Sequence, residues 1–105
     1  MAWIALFLAG ILEVIWAWAM KASDGFTKLW PTGVMVVTML ASFALLAWAM
    51  RSLPLGTAYA IWTGIGAFGS FVVGIVVLGE PATAMRLVAA GLILSGIVLM
   101  KISAH

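Results

Sequence analysis

Long apolar runs separated by short polar breaks organise this chain. Met1 to Met20 is interrupted by one charge, Glu13, whereas Leu29 to Met50 and Ser52 to Gly79 carry none. Runs of this length meet the need of a membrane-spanning helix, roughly 20 residues at 1.5 Å each. A fourth run, Leu87 to Met100, has 14 residues and is too short alone. It is flanked by Arg86 and Lys101, whose long side chains carry charge outward while their stems extend the apolar span. The pattern predicts an all-α integral membrane protein with four transmembrane helices, at about residues 2–20, 31–50, 55–78 and 83–102 of a single domain covering 1–105.

The breaks between runs have turn chemistry. Lys21 to Lys28 is a short polar connection turning at Asp24-Gly25, and Pro31 suits the first turn of the second helix, where its missing N–H is no loss. Arg51 to Gly56 joins helices two and three, and Gly79-Glu80-Pro81 joins three and four. None is long enough to divide domains. The first run is expected to be a retained helix and not a cleaved signal, despite the small-x-small Ala17-Trp18-Ala19. No Lys or Arg precedes it, and Glu13 sits within its apolar region. The echo of Ala17-Trp18-Ala19-Met20-Lys21 in Ala47-Trp48-Ala49-Met50-Arg51 places an interfacial Trp and a stop-transfer base at two helix ends. Trp3, Trp18, Trp30 and Trp48 all lie at span ends and read as belt residues.

Composition agrees, with 67% hydrophobic and 8% charged residues against roughly 45–50% and 25% in soluble domains. With no cysteine, disulfides and thiolate metal sites are unavailable. The net charge of +2 comes from helix-flanking bases and makes no surface for nucleic acid. No cofactor or metal is expected. Four spans put Arg51, Lys101 and the amino terminus on one side and Lys21, Lys28 and Arg86 on the other. Two against three in Lys and Arg gives the positive-inside rule almost no preference, so insertion in both orientations is expected.

Glu13 is the only acidic side chain inside the apolar runs. An ionisable group at that depth is expensive and reads as functional, as a site for a proton or a cation, in preference to a structural hydrogen-bond partner. Helical spacing puts Gly10, Glu13, Trp16 and Ala17 on one stripe, with Leu6 and Met20 beyond. Helix three supplies Tyr59, Trp62, Thr63 and Gly66, and helix two supplies Ser42 with Thr38 one turn earlier. These groups offer donors to orient a carboxylate and aromatic faces that attract cations. The plainer readings are interfacial anchoring for Tyr59 and Trp62 and helix packing for Ser42.

Small residues permit close helix approach in lipid. Gly64 and Gly66 mark a place where helix three can pack closely or bend as a hinge. Gly91 and Ser95, four apart on helix four, form a small ridge suited to dimer packing. Four helices leave no room for the inverted repeats of larger carriers, but a homodimer of oppositely inserted subunits recreates them. It would bring two copies of Glu13 together near the midplane. Competition of proton and cation for one site is sufficient for antiport.

Three segments carry a resemblance: Glu13-Val14-Ile15-Trp16, Gly25 to Pro31, and Pro54 to Gly66. They resemble the small multidrug resistance family along nearly the whole chain, with matching loop lengths. The resemblance implies a bacterial inner-membrane, dual-topology antiparallel homodimer driven by the proton gradient, with Glu13 as the shared proton and substrate site. Trp16 resembles the guanidinium-exporting subtype, where polyaromatic-drug exporters typically carry Gly. That subtype's binding residues correspond to Gly10, Glu13, Trp16, Ser42, Tyr59 and Trp62, and its C-terminal basic position to Lys101. Trp18 departs from the small or aliphatic residue expected. Its helical spacing from Glu13 turns it toward lipid.

Guanidinium is a planar cation with N–H donors on its edge, suited to a carboxylate, and flat faces suited to Trp. A hydrogen-bonding Trp16 bracing Glu13 would narrow the site to small planar cations. The expected partners are therefore guanidinium-type cations, protons, lipid and a second copy of the chain. The alternatives are efflux of quaternary ammonium or multidrug cations and, in another class, a non-transporting membrane assembly subunit whose Glu13 pairs with a basic residue of a partner helix.

Overall fold

The computed structural model describes residues 1–103. Its elements are α1 (Ala2–Ala22), α2 (Leu29–Ala49), α3 (Leu55–Val76) and α4 (Ala84–Ser103), all apolar enough to cross a membrane. Their 20 to 22 residues give lengths of roughly 30 Å or slightly more, the thickness of the hydrocarbon layer. α2 starts two residues before Pro31, which is the third residue of the helix. Its absent N–H is still among those that have no intrahelical partner.

The helices form a slab whose smallest extent is 16 Å. α1 is central and packs along both α2 and α3, whereas α4 packs on α3 alone. Leu6, Ala9, Leu46, Ala58, Ile61 and Trp62 make the core where the first three helices meet. Small residues set the spacing: a Cβ at Gly10 would run into Ile65, one at Gly69 into Val14, and one at Gly64 would lie 2.8 Å from Ile97. α3 continues unbroken through Gly64 and Gly66. Both glycines are contact positions, with Gly64 against α4 and Gly66 against α1.

Two loops are built by local hydrogen bonds. Ser23 is fully buried; its hydroxyl donates to the Met20 carbonyl at 2.7 Å and accepts from the Phe26 N–H at 3.1 Å. Asp24, Gly25 and Phe26 all have positive φ, so this turn is tighter than Asp24-Gly25 alone requires. In the last loop the Thr83 hydroxyl accepts from the Arg86 N–H at 3.2 Å, capping α4. Arg86 also pairs with Glu80 at 3.4 Å, and both side chains are exposed. A surface pair of this kind contributes about 0–1 kcal/mol.

Candidate functional site

Glu13 sits midway along α1, half-buried against α3. Its neighbour is the backbone of Gly66, where a Cβ would overlap the carboxylate. Glycine at 66 leaves the space that the acid fills between α1 and α3, and a methyl group there would displace the carboxylate. The carboxylate oxygen Oε1 is buried and has no hydrogen-bond partner among the described residues.

Three of the other expected site residues are drawn to this crossing. Ser42 is fully buried. Its hydroxyl donates to the Ala9 carbonyl at 2.6 Å and accepts from the Trp62 indole N–H at 3.0 Å. Ala9 precedes Glu13 by four residues, so its carbonyl is also the helical acceptor for the Glu13 N–H. Ser42 thus ties α2 and α3 to the turn of α1 that carries the acid. Gly10, on the same turn, is the notch for Ile65.

Trp16 lies one turn beyond Glu13, but no hydrogen bond joins them: its indole N–H is buried and has no partner among the described residues. The expected bracing bond is absent within one subunit. Contact is aromatic instead. The Trp16 ring meets Phe43 edge-on, with centroids 6.4 Å apart, and Phe43 meets Trp62 at 5.8 Å. Phe43 was not anticipated; its only signal in the sequence is an aromatic ring beside Ser42 in an otherwise aliphatic run. Edge-to-face contacts of this kind position the rings as well as burying them.

Tyr59 and Thr63 depart from the expected stripe. Trp62 meets Ser42 and Phe43 of α2 and Gly66 meets α1, whereas Tyr59 and Thr63 line a groove between α3 and α4 with Ile93 and Ile97. Tyr59 is 53% exposed and reaches the site only through its ring contact with Trp62, at 5.6 Å. Thr38 turns its hydroxyl back to the Val34 carbonyl of its own helix at 2.7 Å. Gly91 and Ser95 lie on the exposed face of α4, where the Ser95 hydroxyl donates to the Gly91 carbonyl at 2.8 Å.

The belt positions divide. Trp30 and Trp48 are exposed, and the Lys101 ammonium lies over the half-buried Trp3 ring, 5.0 Å from its centroid. Trp18 is half-buried in a cleft with Val14 and Lys21 of α1 and Ser70 and Val73 of α3. It follows Val14 by four residues, and Val14 packs on α3 at Gly69, so the same stripe brings Trp18 beside α3 instead of turning it to lipid alone.

A half-buried acid seated against a glycine in a bundle of four apolar helices has counterparts among known proteins. The family model described as Small Multidrug Resistance protein matches residues 1–93. This chain belongs to the small multidrug resistance family. It is 55% identical to a protein of Escherichia coli K12 named guanidinium exporter, and 52% identical to proteins of that name in Citrobacter freundii and Salmonella typhimurium. Each match covers all 105 residues and the whole of the relative. As a member of this transport family the chain is a multi-pass plasma-membrane protein and not an enzyme.

Proposed function

We propose that this protein is a proton-coupled antiporter that exports guanidinium, with small substituted guanidines, as an antiparallel homodimer in which Glu13 of each subunit binds proton or cation in turn. The observation that carries the reading is a pair of buried polar atoms without a hydrogen-bond partner among the described residues, the acceptor Glu13 Oε1 and the donor Trp16 Nε1. A buried polar group without a partner is destabilising by about 1–3 kcal/mol. A cation that donates to the carboxylate, or an acceptor of a second subunit that meets the indole N–H, therefore binds with an advantage.

The chemistry of guanidinium suits both parts of the site. Its N–H edge donates to a carboxylate in charge-assisted hydrogen bonds, and its flat face stacks on an aromatic ring. Trp16, one turn from the acid, meets Phe43 and through it Trp62 in edge contacts, a set of flat walls that favours small planar cations over bulky ones. Coupling follows from exclusion: a proton on Glu13 removes the charge that holds the cation, and a bound cation occupies the oxygens that would take the proton. Oppositely inserted subunits present this site alternately to the two sides.

The test is transport by the purified protein in liposomes carrying a pH gradient. Guanidinium should drive proton movement, and tetraethylammonium should not. Equal transport of both would replace the substrate reading with quaternary ammonium efflux. Absence of any cation-driven proton flux would leave a non-transporting membrane subunit.

A further inference from the structure

α1 and α4 both pack on α3, and apart from Lys101 over Trp3 they stay separate, with Gly10 admitting Ile65 and Gly64 admitting Ile97 on different sides of α3. A groove of about 280 Å³ remains between them, lined by Trp3, Leu6, Ile61, Ile65, Ile97 and Lys101 among others. Its walls are almost wholly hydrocarbon, and among the described residues its one charged lining residue is Lys101. The groove lies at the membrane end formed by the start of α1 and the end of α4. At that end, among the described residues, the charged side chains are Lys101 and Arg51, with no acidic side chain.

We infer that this groove is a binding site for one anionic phospholipid, an acyl chain lying between α1 and α4 and the headgroup phosphate pairing with Lys101. The arrangement has the two parts such a lipid needs, a hydrocarbon slot running into the membrane and a cation at its mouth. Trp3 fixes that cation: the ammonium held over its ring is placed at the depth of the headgroups, where Trp and Lys both prefer to sit. Charge argues against a second copy of the chain as occupant. Among the described residues one end of the subunit carries Arg51 and Lys101 without an acidic side chain, and the other carries Lys21, Lys28 and Arg86 against Asp24 and Glu80. A parallel copy would bring only more bases to Lys101, and in an antiparallel copy Asp24 and Glu80 are outnumbered by Lys21, Lys28 and Arg86, with Glu80 already paired to Arg86, whereas a phosphate complements Lys101 without a competing base.

The experiment is native mass spectrometry of the full-length protein released from nanodiscs of equal phosphatidylglycerol and phosphatidylcholine. Phosphatidylglycerol should be retained preferentially. Lys101→Gln should weaken its retention about fivefold, the order expected for one lysine at the surface, without changing that of phosphatidylcholine. Lys101→Arg should restore it. Arg51→Gln, which removes the same charge at the same end but outside the groove, should have no effect, and Ile97→Trp should displace lipid by filling the slot. Equal retention of the two lipids by the native protein, or an equal loss from Arg51→Gln and Lys101→Gln, would overturn the assignment. So would disulfide trapping of Val98→Cys between two subunits with loss of lipid, because a second copy would then cover the groove.

Discussion

The carboxylate of Glu13 lies directly against the backbone of Gly66, with no room for a methyl group between them. Gly66→Ala adds only one carbon, yet it must either push the acid out of the crossing or part α1 from α3. Overpacking of this kind is destabilising by about 1–3 kcal/mol. We expect the variant to insert in the membrane and to lose guanidinium uptake by tenfold or about that. Uptake by proteoliposomes at matched protein content is the measurement.

Glu13→Gln separates chemistry from packing at the same position. The amide fits beside Gly66 and keeps hydrogen-bonding capacity but exchanges no proton. Proton-driven guanidinium uptake should vanish while size-exclusion behaviour in detergent is unchanged. Retained uptake would sink the antiport reading.

Ser42→Ala removes both hydrogen bonds that tie α2 and α3 to the turn below Glu13. Interhelical hydrogen bonds in membranes average about 0.6 kcal/mol, with a maximum near 1.7. The loss of stability should therefore be modest, roughly 1 kcal/mol, read as a small shift in SDS-induced unfolding. A fall in guanidinium uptake larger than that loss would show that Ser42 also acts on substrate.

Trp16 tests selectivity through two substitutions. Trp16→Phe keeps a ring against Phe43 and deletes the unpartnered N–H, whereas Trp16→Gly removes the wall entirely. If the N–H binds a charged partner in the working transporter, its loss alone should weaken guanidinium about ten- to a hundredfold. Competition assays with tetraphenylphosphonium should show entry of the bulky cation in Trp16→Gly only. An unchanged guanidinium-to-phosphonium ratio in that variant would end the subtype argument.

The near balance of Lys and Arg predicts that C-terminal reporter fusions read both orientations. An added Lys at Ala22 should favour the orientation with that loop in the cytoplasm, and one at Ser103 the reverse. A single strong preference in the unmodified chain would contradict antiparallel assembly.

The four helices were legible because lipid imposes a length and an apolar composition that this chain displays openly. Their ends moved by about two residues, since Leu29 and Trp30 before Pro31 are as apolar as the helix and give no stop signal. Glu13 was legible by its isolation, and Ser42 and Trp62 by helical spacing. Phe43 was not, because a phenyl ring in an apolar run carries no sign of which neighbour it meets. Tyr59 was placed beside the acid since stripes three and four apart share a broad face, but the width of that face is divided between α1 and α4 by packing alone. Ser23, buried in a loop, looked like ordinary turn chemistry.

Three contacts between α1 and α3 follow one another along the axis: Ile65 in the notch of Gly10, Glu13 in that of Gly66, and Val14 in that of Gly69. Each resembles a tooth seated in a gap, and the three together index one helix against the other. A slide of one turn, 5.4 Å, would leave Ile65 with no gap in either direction and offer a glycine to only one of the other two teeth, Gly69 to Glu13 or Gly66 to Val14. The piston stroke by which some helices shift register is therefore closed to this pair, and α1 and α3 must swing as one lever.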